Sequence, residues 1–186
     1  MSILSAPVHR FVFDTNTLVS ALLLPTSIPR RALDYAFDHG RVLTSVVLLQ
    51  ELDRVLNYPK LAPYITAAER TQFLGKLALE GTLTTISVQL LVVRDPKDNF
   101  ILELAVSGSA NVIISGDQDL LTLGRYDGIP IRTPTHYRIR PNLEPFGIIG
   151  VMRPRWRLPL VRARAAVADR AAACWCRRPA ARRSAR

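Results

Sequence analysis

A chain of 186 residues with 48% apolar side chains is long enough to build one ordinary domain with a substantial core. No apolar run approaches the ~18 residues that a membrane helix needs; the longest, over 18–24, is interrupted by Ser20 and stopped by Pro25. No basic segment followed by an apolar stretch and a small-residue cleavage site opens the chain, so a cytoplasmic protein without membrane attachment is the default expectation.

The formal net charge of +10 resides in residues 151–186, where eleven arginines stand against one acid, Asp169, while residues 1–150 hold fourteen basic and fourteen acidic side chains. Residues 1–9 read as a lead-in, 10–145 as the domain and 146–186 as an Arg/Ala/Pro-rich tail. The tail lacks sustained apolar periodicity and so reads as disordered, with a short helix at most over 162–173. It could hold phosphates by counterion release or be an accidental extension of the reading frame. Cys174 and Cys176, beside Trp175, have neither a second cysteine pair nor a histidine cluster and read as incidental.

In chain order, Phe11, Val12 and Phe13 make a buried strand that delivers Asp14, followed by a short helix over 17–24. In open parallel α/β sheets, ligand chemistry gathers where such strands end. Asp14 is therefore either a site carboxylate or the cap of the following helix. Pro29 suits the first turn of a helix through 38, with Ala32, Leu33, Ala36 and Phe37 as its apolar stripe and His39-Gly40 as its end. A second strand follows over 41–44, then Ser45 as N-cap of a helix over 46–57 with Leu48, Leu52, Val55 and Leu56 buried. Glu51 lies at the border of that stripe, either tilted to water, paired with a base such as Arg54, or neutralised by a metal.

Thr66 with Glu69 predicts a capping box for a helix to about 80, with Phe73, Leu74, Leu77 and Ala78 on its apolar face. The β-branched stretch 82–93 fits either a short strand or an extended crossover. Asp95 then caps a helix whose first position is Pro96, and Asp98 shares a face with Ile101, Leu102 and Ala105. Residues 112–114 read as the last buried strand, delivering Ser115-Gly116-Asp117-Gln118-Asp119 much as the first strand delivers Asp14. A short helix around Leu120, Leu121 and Leu123, a final edge strand over 129–131 tolerating Pro130, and a terminal element opened by Thr133-Pro134-Thr135 complete the domain.

Two strands thus end in Asp14 and Asp117, and two helices offer Glu51 and Asp98 toward the same edge. Four carboxylates together repel one another unless protonated or joined by a hard divalent cation, for which Mg²⁺ or Mn²⁺ is best suited. His9, His39 and His136 have no partner at zinc-ligand spacing and read as surface or packing residues. No Walker loop, G-x-G-x-x-G or G-x-S-x-G occurs, which disfavours P-loop hydrolysis and serine esterase chemistry. Metal–carboxylate hydrolysis of phosphodiester or phosphoryl groups remains.

The segments Phe11-Val12-Phe13-Asp14-Thr15-Asn16-Thr17-Leu18, Glu51, Asp95-Pro96-Lys97-Asp98-Asn99 and Ser115-Gly116-Asp117-Gln118-Asp119 together resemble a PIN domain over residues 10–138, in the branch of toxins from toxin–antitoxin pairs. The resemblance implies an α/β/α sandwich around a mainly parallel sheet and a Mg²⁺- or Mn²⁺-dependent endoribonuclease. It implies Asp14, Glu51, Asp98 and Asp117 as the acidic quartet, with Asn16, Asp95, Ser115 and Asp119 as accessory positions. It also implies an RNA substrate, an antitoxin partner and a homodimer; the tail has no counterpart in the family.

On this reading Asp14 and Asp117 hold a metal, Glu51 and Asp98 complete its shell or hold a second ion, and in-line attack leaves a 5′-phosphate and a 3′-hydroxyl. Two alternatives stand beside it. One is a phosphatase-like enzyme with Asp14 as nucleophile, although Asn16 stands where dehalogenase-like phosphatases need a second aspartate. The other is a non-catalytic RNA-binding or partner-binding module whose acids are helix caps. Because residues 1–150 are formally neutral, any grip on RNA falls to local bases, with Arg30, Arg31, Arg54, Lys60, Arg94 and Lys97 as candidates.

Overall fold

The computed structural model describes residues 8–90 and 96–137, and the side chains of these except at 96–98 and 137. The tail and the expected end of the domain near 145 lie outside the described residues. Chain order is β1 (His9–Phe13), α1 (Thr15–Leu23), α2 (Ile28–His39), β2 (Gly40–Thr44), α3 (Val46–Leu56), α4 (Ala67–Glu80) and β3 (Thr82–Leu83). There follow α5 (Pro96–Ser107), β4 (Val112–Ile114), α6 (Gln118–Leu123), β5 (Arg125–Tyr126), β6 (Ile129–Arg132) and a 3₁₀ turn, Pro134–Tyr137.

The six strands form one sheet in the order β3-β2-β1-β4-β6-β5. All neighbours are parallel except β5 and β6. Alternation along the strands separates two faces. Phe11 is in register with Val42, and Tyr35 of α2 meets Phe11 edge-on at 6.4 Å. Thr44, two residues beyond Val42, abuts Gly81 after α4: a Cβ at Gly81 would lie 2.8 Å from Thr44 Cγ2. On the other face Leu43 abuts Gly108 after α5, where a Cβ would lie 2.4 Å from Leu43 Cδ1. Thus α2 and α4 cover one face and α5 the other, giving three layers. Right-handed crossovers require this arrangement, since β1 to β2 to β3 runs one way and the return to β4 runs the other.

That reversal makes the boundary between β1 and β4 the switch point of the sheet, where two connections leave in opposite directions and a cleft opens at the carboxyl ends. The core on either side comprises Phe11, Val12, Phe13, Leu18, Leu22, Leu48, Leu52, Phe73, Leu102 and Ile113, all buried. Each large side chain so buried stabilises the fold by roughly 1.5–3 kcal/mol before entropy is counted.

Local signals agree with the expected elements closely. Ser45 caps α3, and Leu48, Leu52, Val55 and Leu56 are its buried residues. The capping box of α4 is present in both directions, Thr66 N–H to Glu69 Oε2 at 2.8 Å and Glu69 N–H to Thr66 Oγ1 at 3.2 Å, although Ala78 is exposed. Helix α1 starts two residues before the expected position, because Asp14 caps it and draws Thr15 and Asn16 into the first turn. His9 joins β1, which shortens the lead-in. The ambiguous stretch contributes only the two-residue β3 before an extended run along α5, where Ser87 N–H donates to Ser107 Oγ at 3.0 Å and Leu90 N–H to Glu103 Oε1 at 2.8 Å.

The carboxyl-terminal edge differs from expectation. Residues 129–131 belong to β6, which is neither an edge strand nor unburied: it lies between β4 and β5, and Ile129 and Ile131 are buried. The cause is Asp127-Gly128, with φ of 47° and 76°, a two-residue hairpin turn that folds β5 back as the edge. Pro130 is accommodated because Ile131 N–H donates to Gly124 O on the β5 side at 3.0 Å, turning the Pro130 nitrogen toward β4, one position before the Ile113–Ile131 register begins.

Candidate active site

At the switch point Phe13 of β1 is level with Ile114 of β4, so the next residues on each strand, Asp14 and Ser115, emerge side by side. Asp14 N–H donates to Ile114 O at 3.1 Å, continuing the ladder by one bond. The Asp14 carboxylate is 4% exposed. Its Oδ1 accepts from Thr17 N–H at 2.5 Å. Its Oδ2 accepts from the Ser115 hydroxyl, and from Gly116 N–H at 3.2 Å. Burial pushes this carboxyl above its ordinary value, and the hydrogen bonds from Ser115, Thr17 and Gly116 pull against that shift. Among the described residues the ion pairs join Arg30 to Asp34, Arg54 to Glu51 and Arg70 to Asp53, so no cationic side chain compensates Asp14.

Ser115, itself fully buried, works in two directions. Its O–H donates to Asp14 Oδ2, and its oxygen accepts Asp117 N–H at 2.9 Å. The hydroxyl therefore ties the first strand-end carboxylate to the backbone of the second. Asp117 is half-buried and caps α6, with Oδ1 accepting Asp119 N–H at 2.8 Å; Asp119 is exposed. Both strand-end aspartates thus do cap helices. For Asp14 capping leaves burial without a countercharge unexplained.

The other sequence-derived residues fall differently. Glu51 is held by Arg54 in a forked pair, Oε1 to Nη2 at 2.6 Å and Oε2 to Nε at 2.7 Å, and the guanidinium also lies 5.2 Å from the Tyr58 ring centre. With side-chain exposures of 24% for Glu51 and 48% for Arg54, the pair contributes a few tenths of a kcal/mol. Asn16 occupies the first turn of α1, half-buried and partnered. Asp98 sits in the first turn of α5, a helix that packs against β1, β2 and α3; its side chain, and Asp95 entirely, lie outside the described residues. Among the described residues no three His, Cys, Asp or Glu side chains group in a metal-holding arrangement.

Two positions in this edge escaped the sequence reading. Thr17 is a 3% exposed hydroxyl in an otherwise apolar helix; its one signal was a polar residue amid Leu18, Val19, Ala21 and Leu22. Gly116 brings its N–H onto Asp14, and a Cβ there would have Thr17 Oγ1, at 4.0 Å, as its one neighbour within that distance. Of the bases expected to grip RNA, Arg30 is buried against Asp34 at 2.9 Å and Arg54 is engaged by Glu51, which removes both from a free surface. Arg31 and Lys60 are exposed; Arg94 and the Lys97 side chain lie outside the described residues. His9, His39 and His136 are exposed, His39 stacking on Tyr35 at 4.2 Å. Among the described residues no helix is long and apolar enough to cross a membrane.

The donor set fits a hard divalent cation. The groups converging at the switch point are carboxylate, hydroxyl and amide, with no thiolate or imidazole among them, and a buried carboxylate without a countercharge is the state a cation would relieve. The model of the PIN domain family matches residues 10–119. An uncharacterized protein of Methanocaldococcus jannaschii, MJ1680, is 30% identical over 145 residues, spanning 74% of this chain and 93% of that protein. A solved structure, VapBC2 from Rickettsia felis bound to a DNA fragment from their promoter, is similar with 13% identity and a TM-score of 0.49, over 67% of this chain and 98% of that chain.

Proposed function

The chain belongs to the PIN domain family, and on that premise we propose that it is a Mg²⁺- or Mn²⁺-dependent endoribonuclease of the cytoplasm, the toxin of a toxin–antitoxin pair. The observation that carries the reading is Asp14: a strand-end carboxylate at the switch point, almost wholly buried, held by three neutral donors and no base. Asp14 and Asp117 would hold the cation, with Glu51 and Asp98 as the further acids of the quartet. A divalent cation bound there supplies charge stabilisation at the phosphodiester and makes water a better nucleophile at neutral pH. The protein's own share is orientation. Thr17 N–H and Gly116 N–H hold the two Asp14 oxygens in place, and Ser115 keeps Asp14 and the Asp117 backbone at a set separation. RNA is the proposed substrate, and an antitoxin and a second copy of the chain are the proposed partners.

The purified chain is expected to cut RNA internally with Mg²⁺ or Mn²⁺, to stop in excess chelator, and to leave 5′-phosphate and 3′-hydroxyl ends. Cleavage that persists undiminished in chelator overturns the proposal. The capping roles of Asp14 and Asp117 favour a second reading, a non-catalytic RNA-binding or partner-binding module. RNA binding without cleavage across Mg²⁺, Mn²⁺ and Co²⁺ would support that alternative.

A further inference from the structure

Among the described residues, the buried side-chain oxygens with no protein hydrogen-bond partner are the hydroxyls of Thr15, Thr17 and Thr44. All three lie at the carboxyl edge of the sheet: Thr44 is the last residue of β2, and Thr15 and Thr17 belong to the first turn of α1. Buried hydroxyls are ordinarily satisfied, so this concentration marks a place where water or ligand completes the bonding.

Thr17 is the member nearest the candidate chemistry. It is 3% exposed, its N–H donates to Asp14 Oδ1, and its hydroxyl is close enough to favour the charged carboxylate without aligning a hydrogen bond to it. Opposite it stands Gly116, where a side chain would meet nothing but Thr17 Oγ1 at 4.0 Å. The Asp14 oxygens are unequally used. Oδ2 accepts from both Ser115 and Gly116, whereas Oδ1 accepts only from Thr17 N–H among the described donors, and a carboxylate oxygen accepts two bonds. An orphaned donor, an acceptor with a spare lone pair and a missing side chain therefore adjoin.

We infer that Thr17 Oγ1 and Asp14 Oδ1 together seat one ordered water over Gly116, and that Thr17 is a positioning residue for the water that hydrolyses the phosphodiester. The second clause rests on the ribonuclease reading; the first does not. The Thr17 O–H donates to the water oxygen, and one water O–H donates to Asp14 Oδ1. The water thereby keeps a lone pair directed into the cleft. In the hydrolysis that lone pair bonds to phosphorus and the bond from phosphorus to the ribose 3′ oxygen breaks, its electron pair staying on that oxygen. The water's proton passes through Asp14 Oδ1 to solvent, and the 3′ oxygen takes a proton from solvent.

The test is a set of high-resolution crystal structures of the full chain as wild type, Thr17→Val, Thr17→Ser and Gly116→Ala, with cleavage kinetics for each. An oxygen peak within hydrogen-bond distance of Thr17 Oγ1 and Asp14 Oδ1 is expected in the wild type and in Thr17→Ser, and is expected to be absent in Thr17→Val. Gly116→Ala places its methyl at an ordinary contact distance and so folds even if Thr17→Val does not; it too is expected to lose the peak. In Mn²⁺, Thr17→Val is expected to lower kcat about tenfold or more at unchanged KM, with Thr17→Ser within about twofold of wild type. A Thr17 hydroxyl bonded to protein with no water, or an anomalous manganese peak at bonding distance from it, overturns the seat. An unchanged kcat in Thr17→Val overturns the positioning role. A wild type that cuts no RNA refutes the ribonuclease reading and with it the hydrolytic role, while the water peak still decides the seat.

Discussion

Two acidic networks lie on this molecule, and they meet their charge in opposite ways. Asp14 is buried among neutral donors, Thr17, Ser115 and Gly116, and carries a carboxyl raised by desolvation. Glu51, on α3, is half-buried and already neutralised by the fork of Arg54, which Tyr58 supports from the side. The difference separates a carboxylate that has use for an external cation from one that must first give up an internal one. Topology explains it: Asp14 follows a central strand directly and cannot reach solvent, whereas Glu51 borders a helix stripe with a long flexible base one turn away.

The sharpest way to break this contrast is Asp14→Asn. Cleavage in Mn²⁺ is expected to fall on the order of 10²-fold or more, and the gain in melting temperature on adding Mn²⁺ is expected to vanish. Calorimetry with and without Mn²⁺ checks the second effect independently of RNA; an undiminished gain would remove Asp14 from the metal site.

Ser115→Ala comes next. It removes a donor from Asp14 Oδ2 and the acceptor for Asp117 N–H. Chemical denaturation is expected to show a loss of about 1–3 kcal/mol, and cleavage a reduction of about 10–100-fold. Wild-type values for both would mean that Asp14 and Asp117 do not depend on the shared hydroxyl.

In metal-free protein the Asp14 shift has a definite sign. Its native value lies above the ordinary 3.8, so between the two the native state holds the proton more strongly than the unfolded state. The stabilisation is complete below the unfolded value and is lost as pH rises through the native one. Denaturation in chelator across this window is expected to show that downward component, which Asp14→Asn removes; an identical pH slope in the variant contradicts the assignment.

The smallest effect belongs to the other network. Arg54→Met removes a partly exposed pair and is expected to change stability by about 1 kcal/mol or less. Because Glu51 is then released, Mn²⁺ is expected to bind more tightly by titration calorimetry; weaker binding would show that Arg54 positions Glu51 instead of competing for it.

Much of this architecture was legible along the chain because its causes are local. Ser45, the Thr66–Glu69 box and Pro96 mark helix starts through hydrogen bonds that span three residues or through a backbone angle, and α3, α4 and α5 begin where those signals stand. The run of Phe11 to Phe13 into Asp14 announced a buried strand with a polar end. The placement of residues 129–131 was misjudged at the edge because a strand's neighbours depend on pairing partners far away, although Asp127-Gly128 was a local sign that another strand folds back there.

The sequence by itself determined which residue types could do chemistry, and that Asp14 and Asp117 follow strands, since strand ends and caps are written in short-range backbone preferences. Only the tertiary structure decided that those two strands are neighbours across the switch point, that one serine hydroxyl joins their ends, and that Glu51 is engaged by Arg54 while Asp14 has no base. It also revealed the unmet hydroxyl of Thr17 facing Gly116. Burial and partnership are properties of contacts between segments about a hundred residues apart, Asp14 and Ser115 among them, and no local pattern carries that information.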